Sequence, residues 1–188
     1  MSGAVTWQQV TATTWTGAPV SLELPPGWWV LRLSTGDPVA AVDRLVVEHC
    51  PQGTVERLRV QLAEEWRRLV RVAVAGGAVM LGGGVASDEA TGWLITATFV
   101  LAPRELADPV PDSVGPPRNV RLVTAYGPVA DVRQLEVEYL HAGSWALTFS
   151  TPSLRHGGYL ATVFDAIAGT LRVDGGLASA APDAPVFG

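Results

Sequence analysis

Lysine is absent: all 13 basic residues of this 188-residue chain are arginine. A P-loop needs a lysine at the phosphates, a kinase ATP site needs one, and Schiff-base and pyridoxal enzymes bond their carbonyl to one. Those classes are excluded. Cysteine is almost as scarce, with Cys50 alone, so there can be no internal disulfide and no CxxC redox or zinc site. Charge is sparse as well. Charged residues make up 16% of the chain, the formal net charge is −5, and no basic run offers a phosphate backbone anything to bind, so no nucleic-acid partner is expected. No stretch approaches the ~20 apolar residues of a membrane-spanning helix. The first twenty residues have neither a basic n-region nor a continuous apolar h-region, so no secretory signal is expected. A soluble, cytoplasmic protein is the resulting expectation. The excess of Arg, Ala, Gly and Val without Lys is what GC-rich coding produces, which points to a high-GC bacterium.

What is present suits a folded domain. Hydrophobic residues make up 48% of the chain and include seven Trp, each with ~150–250 Å² to bury. The expectation is one α+β domain over residues 1–173. Residues 174–188 are rich in Gly, Ala and Pro, have no period, and are expected to form a disordered tail. There is no internal repeat.

Residues 144–172 organise the rest. Trp145, Leu147 and Phe149 alternate with Ala146, Thr148 and Ser150, which makes a strand with one bulky face. After Pro152, the residues Leu160, Val163, Phe164, Ile167 and Leu171 recur at helical spacing and make one apolar stripe. Such a strand and helix need further strands beside them to complete a sheet.

Those partners can be read in order. Residues 7–14 make an edge strand, and 20–24 alternate around Leu22 and Leu24. Pro25-Pro26-Gly27 suits a type II turn with Gly27 at positive φ. Beyond it Trp28, Val30 and Arg32 point one way and Trp29, Leu31 and Leu33 the other, so burial of both Trp means that both faces of the sheet are covered there. Asp37-Pro38 starts a helix, with Asp37 as the cap and Pro38 at the first helical position. Val42, Leu45, Val46 and His49 make its stripe, and Pro51 stops it. A second helix is expected from a Thr54 cap, with Glu56 in its first turn and a stripe of Val55, Leu58, Leu62, Trp66, Leu69 and Ala73, ending at Gly76-Gly77. Glu64 is placed to pair with Arg68 on its solvated side, beside Arg57, Gln61 and Arg71.

Residues 78–86 and 93–101 read as a hairpin around the polar loop 87–92, with Trp93, Ile95, Ala97, Phe99 and Leu101 on one face. Residues 103–117 form a proline-rich connection with one helical turn near 104–107. Residues 119–126 and 132–141 are the next strands. In the latter, Leu135, Val137 and Tyr139 oppose Gln134, Glu136 and Glu138, the pattern of a strand with one wet face. Its hairpin with the 145–151 strand must keep apolar residues facing apolar residues, so a three-residue loop over 141–143 is expected. That register sets Tyr139 against Trp145, Val137 against Leu147 and Leu135 against Phe149, with Gly143 at positive φ.

Candidate chemistry is thin. His49 and Cys50 lie about 100° apart on a helix and cannot both face one ion easily, and His141 and His156 lack ligand spacing. Cys50 would need a histidine base within reach to act as a nucleophile. There is no GxSxG elbow, since Gly143-Ser144-Trp145 lacks the second glycine. Gly82-Gly83-Gly84 sits in strand-like sequence with no helix behind it, so a bulge or close backbone approach accounts for it better than a phosphate cradle. Glu136 and Glu138 stand ~7 Å apart on one strand face, a spacing compatible with acid and base work but far more common in solvated carboxylates. No catalytic, cofactor-binding or metal-ligating residue is assigned, and no cofactor is expected.

The Leu24-Pro25-Pro26-Gly27-Trp28 turn, the strand 145–151 followed by Pro152, and the closing helix around Phe164-Asp165-Ala166-Ile167-Ala168 resemble PsbP-like domains. That resemblance implies an antiparallel sheet with helices on both sides, an α/β/α sandwich. The group includes photosystem accessory proteins, Ran-binding factors and bacterial lipoproteins. The last thirty residues are also similar to uncharacterised actinobacterial proteins. These motifs are structural and carry no catalytic residues over.

The expected function is therefore a non-catalytic binding or accessory module, with a protein partner or self-association as a homodimer. Two alternatives stand beside it. One is a small enzyme whose site would need His141, His156, Glu136, Glu138 and arginines to converge. The other is a carrier of an apolar small molecule between sheet and helices.

Overall fold

The structure is a computed structural model that describes residues 6–14, 17–88, 90–91, 94–103, 118–125, 132–141 and 145–173. In chain order these form β1 (Gln8–Thr13), β2 (Pro19–Leu24), β3 (Trp28–Arg32), α1 (Pro38–His49), α2 (Glu56–Ala75), β4 (Met80–Ser87), β5 (Leu94–Pro103), β6 (Arg118–Ala125), β7 (Val132–His141), β8 (Trp145–Thr151), a 3-10 turn (Leu154–His156), α3 (Gly157–Gly169) and β9 (Arg172–Val173). The fold is α+β and its sheets are antiparallel. Six strands lie in the order β3-β4-β5-β8-β7-β6, and a second sheet has the order β1-β2-β9. The expectation of one shared sheet is corrected here: β1 pairs with β2, and β2 with the two residues of β9, which are too few to show any period in the sequence.

Each face of the six-stranded sheet has its own core. On one side Trp29, Leu31 and Leu81 pack against Val42 and Val46 of α1 and Ala63, Trp66, Val70 and Ala73 of α2. Trp29 and Trp66 meet with ring centroids 4.3 Å apart. On the other side Phe99, Leu101, Val137, Tyr139, Leu147 and Phe149 pack under α3 and the small sheet. Phe149 of β8 stacks on Phe164 of α3 at 4.5 Å and 15°, so the closing strand and helix are in direct contact, as their matched apolar faces require. Among the described residues no helix is long and apolar enough to cross a membrane.

Local signals explain the element ends. The Asp37 carboxylate accepts the N–H groups of Val39 and Ala40 at 3.0 and 3.1 Å, with Pro38 opening α1, because the first turn leaves those donors without carbonyl partners. Pro25 O accepts the Trp28 N–H across a turn in which Gly27 has φ 81°. At the end of α2 the Ala78 N–H reaches Ala73 O and the Gly77 N–H reaches Val74 O, with Gly77 at φ 71°, a Schellman ending that only a residue tolerant of left-handed φ takes readily.

Three expectations for α2 are corrected. Thr54 does not cap it: its hydroxyl turns back to donate to Pro51 O at 2.7 Å, and Val55 occupies the cap position without a side-chain bond. The inward stripe begins later than the periodicity suggests, since Val55 and Leu58 are exposed and Ala63, Trp66, Val70 and Ala73 are the buried residues. Arg68 pairs with Glu65 rather than Glu64, through two bonds of 2.7 and 3.1 Å. On a helix the i,i+3 and i,i+4 partners are equally near, and the bidentate fit decides.

The hairpin of β7 and β8 is also corrected. Tyr139 lies opposite Leu147, Val137 opposite Phe149, Leu135 opposite Thr151 and His141 opposite Trp145. The expected parity holds, and the register is displaced by two residues. Either register keeps the same faces together. The observed one places Phe149 between Val137 of β7 and Phe99 of β5, where Tyr139 meets it edge-on at 5.7 Å. The conformation of Gly143, the helical turn at 104–107, the placement of Trp93 and the tail 174–188 lie outside the described residues.

Where the β5–β8 ladder stops at Thr98 opposite Ser150, side chains take over. The Thr151 hydroxyl, fully buried, donates to Thr96 O at 2.6 Å and accepts the Ser153 N–H at 3.0 Å, while the Ser153 hydroxyl accepts the Thr96 N–H at 3.1 Å. Thr151→Val keeps the shape and removes both bonds of that hydroxyl. A loss of about 2 kcal/mol is expected, because two part-buried backbone groups lose their partner. Urea unfolding of the two proteins measures it.

Candidate functional site

A concavity among the described residues opens between α3, the β2–β3 turn and β4 and β5. Its volume is about 360 Å³, within the range of small-molecule sites. Trp7 and the Pro25-Pro26-Gly27 turn form one wall, Leu160 and Val163 of α3 the facing one, and Ile95 and Ala97 of β5 close it between them, with Tyr159 also in the lining. Trp28 and Gly84 form the floor. No lining side chain among the described residues is charged.

The floor explains part of the glycine run. A Cβ on Gly84 would stand 2.9, 3.0 and 3.2 Å from Nε1, Cε2 and Cδ1 of Trp28, so the five-membered ring of the indole lies flat over the spot where a side chain would be. The six-membered ring systems continue the layer: Trp28 lies 6.2 Å from Phe99 at 23°. Gly82 and Gly83 are constrained more tightly still, with a Cβ meeting Phe99 Cε1 at 2.4 Å and Ala97 O at 2.4 Å respectively. The close-approach reading of these glycines holds at all three positions.

At the mouth stands Tyr159, 66% exposed, one residue off the apolar stripe of α3. An aromatic ring of that size left largely in water beside an apolar cleft has surface still to bury. The sequence pattern marks Pro25-Pro26-Gly27 as a turn and leaves Tyr159 unassigned. The available signal was an aromatic residue outside the helix stripe, but the walls come from five separate segments and no local pattern joins them.

The polar candidates do not converge on this cleft or on one another. Glu136 and Glu138 lie on the opposite face of the sheet from Tyr139 and Val137. Arg121 donates to Glu136 at 2.8 Å, Gln134 donates to it at 3.2 Å, and Asn119 donates to Glu138 at 3.3 Å. The wet-face expectation needs correction for Glu138, which is 9% exposed, because β6 and β8 flank it with Asn119 and Thr148. His141 sits opposite Trp145 on the apolar face. His156 approaches Asp88 at 3.4 Å. The Asp88 carboxyl is held below the usual carboxylate range by its bond to the Thr91 side chain and the Ala90 N–H. His49 and the half-buried Cys50 end α1 on the far side of the sheet. Among the described residues no three His, Cys, Asp or Glu side chains are grouped as metal ligands.

Burial pushes the His141 imidazole below its ordinary value of 6.5, and the Arg172 charge adds to the effect. Above that value the folded and unfolded chains carry His141 alike. As the pH falls from 6.5 toward the lowered folded value, the unfolded chain takes up a proton that the folded chain resists, so stability declines over that interval. His141→Gln is expected to remove this part of the acid loss, read from urea midpoints measured at a series of pH values.

The class defined by these features is an α+β sandwich with an aromatic cleft, uncharged among the described residues, beside its closing helix. No family model matches the chain, and no curated protein or solved structure shows significant similarity to it.

Proposed function

We propose that the chain is a non-catalytic binding module of the accessory kind, and that it holds an apolar small molecule in the cleft between the sheet and α3. The uncharged lining carries this reading. A cleft of about 360 Å³ walled by indole, proline and aliphatic side chains gains by expelling water in favour of apolar surface. Acid–base or nucleophilic work needs titratable groups aimed at one point, and the histidines and paired carboxylates are dispersed over different parts of the fold. The antiparallel sheet with helices on both faces supports kinship with PsbP-like domains.

The test uses the full chain purified from its native host, with solvent extraction and mass spectrometry of whatever it retains. The expected result is one apolar compound in near-stoichiometric amount, lost from the Ala86→Trp variant. Ala86 is exposed and lines the mouth, so a large side chain there blocks entry without entering the core. Recovery of the chain free of any compound, together with equal binding of apolar probes by the wild type and the variant, is the result that overturns the proposal.

A further inference from the structure

The chemistry of the cleft also selects among apolar ligands, an inference that rests on the binding reading above. Charge is selected against first. An ionised ligand entering this lining gives up hydration and meets no opposite charge among its described residues, so ions are disfavoured whatever their sign. Shape comes second. Trp28 is pinned with one indole face over Gly84, at distances that leave no room for a Cβ, and it lines the cleft with the rest. Its tilt is further fixed by Phe99, nearly parallel at 6.2 Å, and by Phe149, edge-on at 6.5 Å. A flat, immobile ring surface is thus presented where a ligand would lie, at no ordering cost when the ligand arrives. Tyr159 at the rim adds a second aromatic surface that the fold itself leaves exposed.

A planar ring gains more from such surfaces than a flexible chain of equal area, because offset or edge-on ring pairs add attraction beyond burial and a rigid ring loses little rotamer freedom. The geometry points to a neutral, ring-bearing apolar small molecule as the ligand, its ring laid on Trp28 and covered at the mouth by Tyr159. Elsewhere in the lining, Ile95, Ala97 and Val163 offer aliphatic surface for the remainder of the molecule.

Four probes separate the terms in titrations of the full chain. N-phenylnaphthylamine is the neutral ring, anilinonaphthalenesulfonate is nearly the same ring system with an anionic group, a methylquinolinium salt is a cationic ring, and decanol is apolar without a ring. The neutral ring is expected to bind at least about ten-fold more tightly than either charged ring. Tyr159→Leu keeps apolar bulk and removes the ring, so it is expected to weaken the neutral ring by about three- to ten-fold and leave decanol unchanged. Ala86→Trp is expected to abolish binding of both. Circular dichroism confirms that each variant is folded. Equal binding of decanol and the neutral ring with no effect of Tyr159→Leu overturns the ring selection and leaves the cleft as the site. Tighter binding of the cationic ring than the neutral one overturns the neutrality, because the indole face is then acting on charge. Unaltered binding to Ala86→Trp, or no binding of any probe, overturns the cleft reading and this inference together.

Discussion

Phe149→Ala is expected to cost about 4 kcal/mol, close to the top of the range for truncating a buried aromatic residue. Phe149 is fully buried and stands where four ring contacts meet, with Phe164, Tyr139, Phe99 and Trp28 at 4.5, 5.7, 5.9 and 6.5 Å. These rings come from α3, β7, β5 and β3, so the cavity left by truncation is walled by elements that cannot all move inward together. Against a total stability of about 5–15 kcal/mol, such a loss leaves a marginal fold. Urea unfolding followed by circular dichroism measures it. Phe149→Leu retains most of the volume and is expected to lose distinctly less; equal losses for the two variants would place the stability elsewhere than in this ring cluster.

Adding a methyl group to the middle of β4 is expected to be nearly as damaging. At Gly83 the new Cβ would lie 2.4 Å from Ala97 O, a backbone atom of the adjoining strand, and at Gly82 it would lie 2.4 Å from Phe99 Cε1 and 2.5 Å from Trp29 O. Neither neighbour can give way without moving β5, which pairs with all of β4, or β3, which pairs with it from Met80 to Gly84. A loss of about 3 kcal/mol is expected for each, at the upper end of overpacking costs. Gly84→Ala meets the Trp28 side chain instead and is expected to cost less stability while tilting the floor of the cleft. Gly158→Ala is the control. It lies in α3 with nothing within 4 Å of the added carbon, so a gain of about 0.5–1 kcal/mol is expected from the helical preference of alanine. Thermal unfolding of the four variants gives the order directly.

The contrast between those glycines shows what a sequence conveys. The run at 82–84 announces that backbone or rings come close, because a strand gains nothing from three absent side chains otherwise. It does not say which rings. Trp28 and Phe99 are brought there by the register of β3 and β5 on either side. The cleft follows the same logic: the turn at Pro25 and Pro26 was legible, and so was the stripe of α3. That the two face each other across Gly84 depends on a strand order in which β8 is inserted between β5 and β7. Glu138 was read as wet because alternation reports the face a residue is on and not what lies beside it. Asn119 and Thr148, on the neighbouring strands, supply the shelter.

Thr54 and Arg68 fail for a related reason on a smaller scale. Both have two partners within local reach, and propensity cannot choose between them. Thr54 closes the turn to Pro51 instead of capping α2, and Arg68 takes the bidentate partner at Glu65.

Alone, the sequence determined the faces of the strands, the caps and turns at Asp37, Gly27 and Gly77, and the pairing of the closing strand with its helix. Each of these rests on covalent geometry and on spacings within about a dozen residues, which the chain carries wherever it goes. The tertiary structure alone decided the two-residue displacement of the β7–β8 register, the separation of β1, β2 and β9 into their own sheet, and the aromatic cleft under Tyr159. Those are choices among arrangements with the same parity and the same local preferences, and the packing of rings and strands from distant parts of the chain is what separates them in energy.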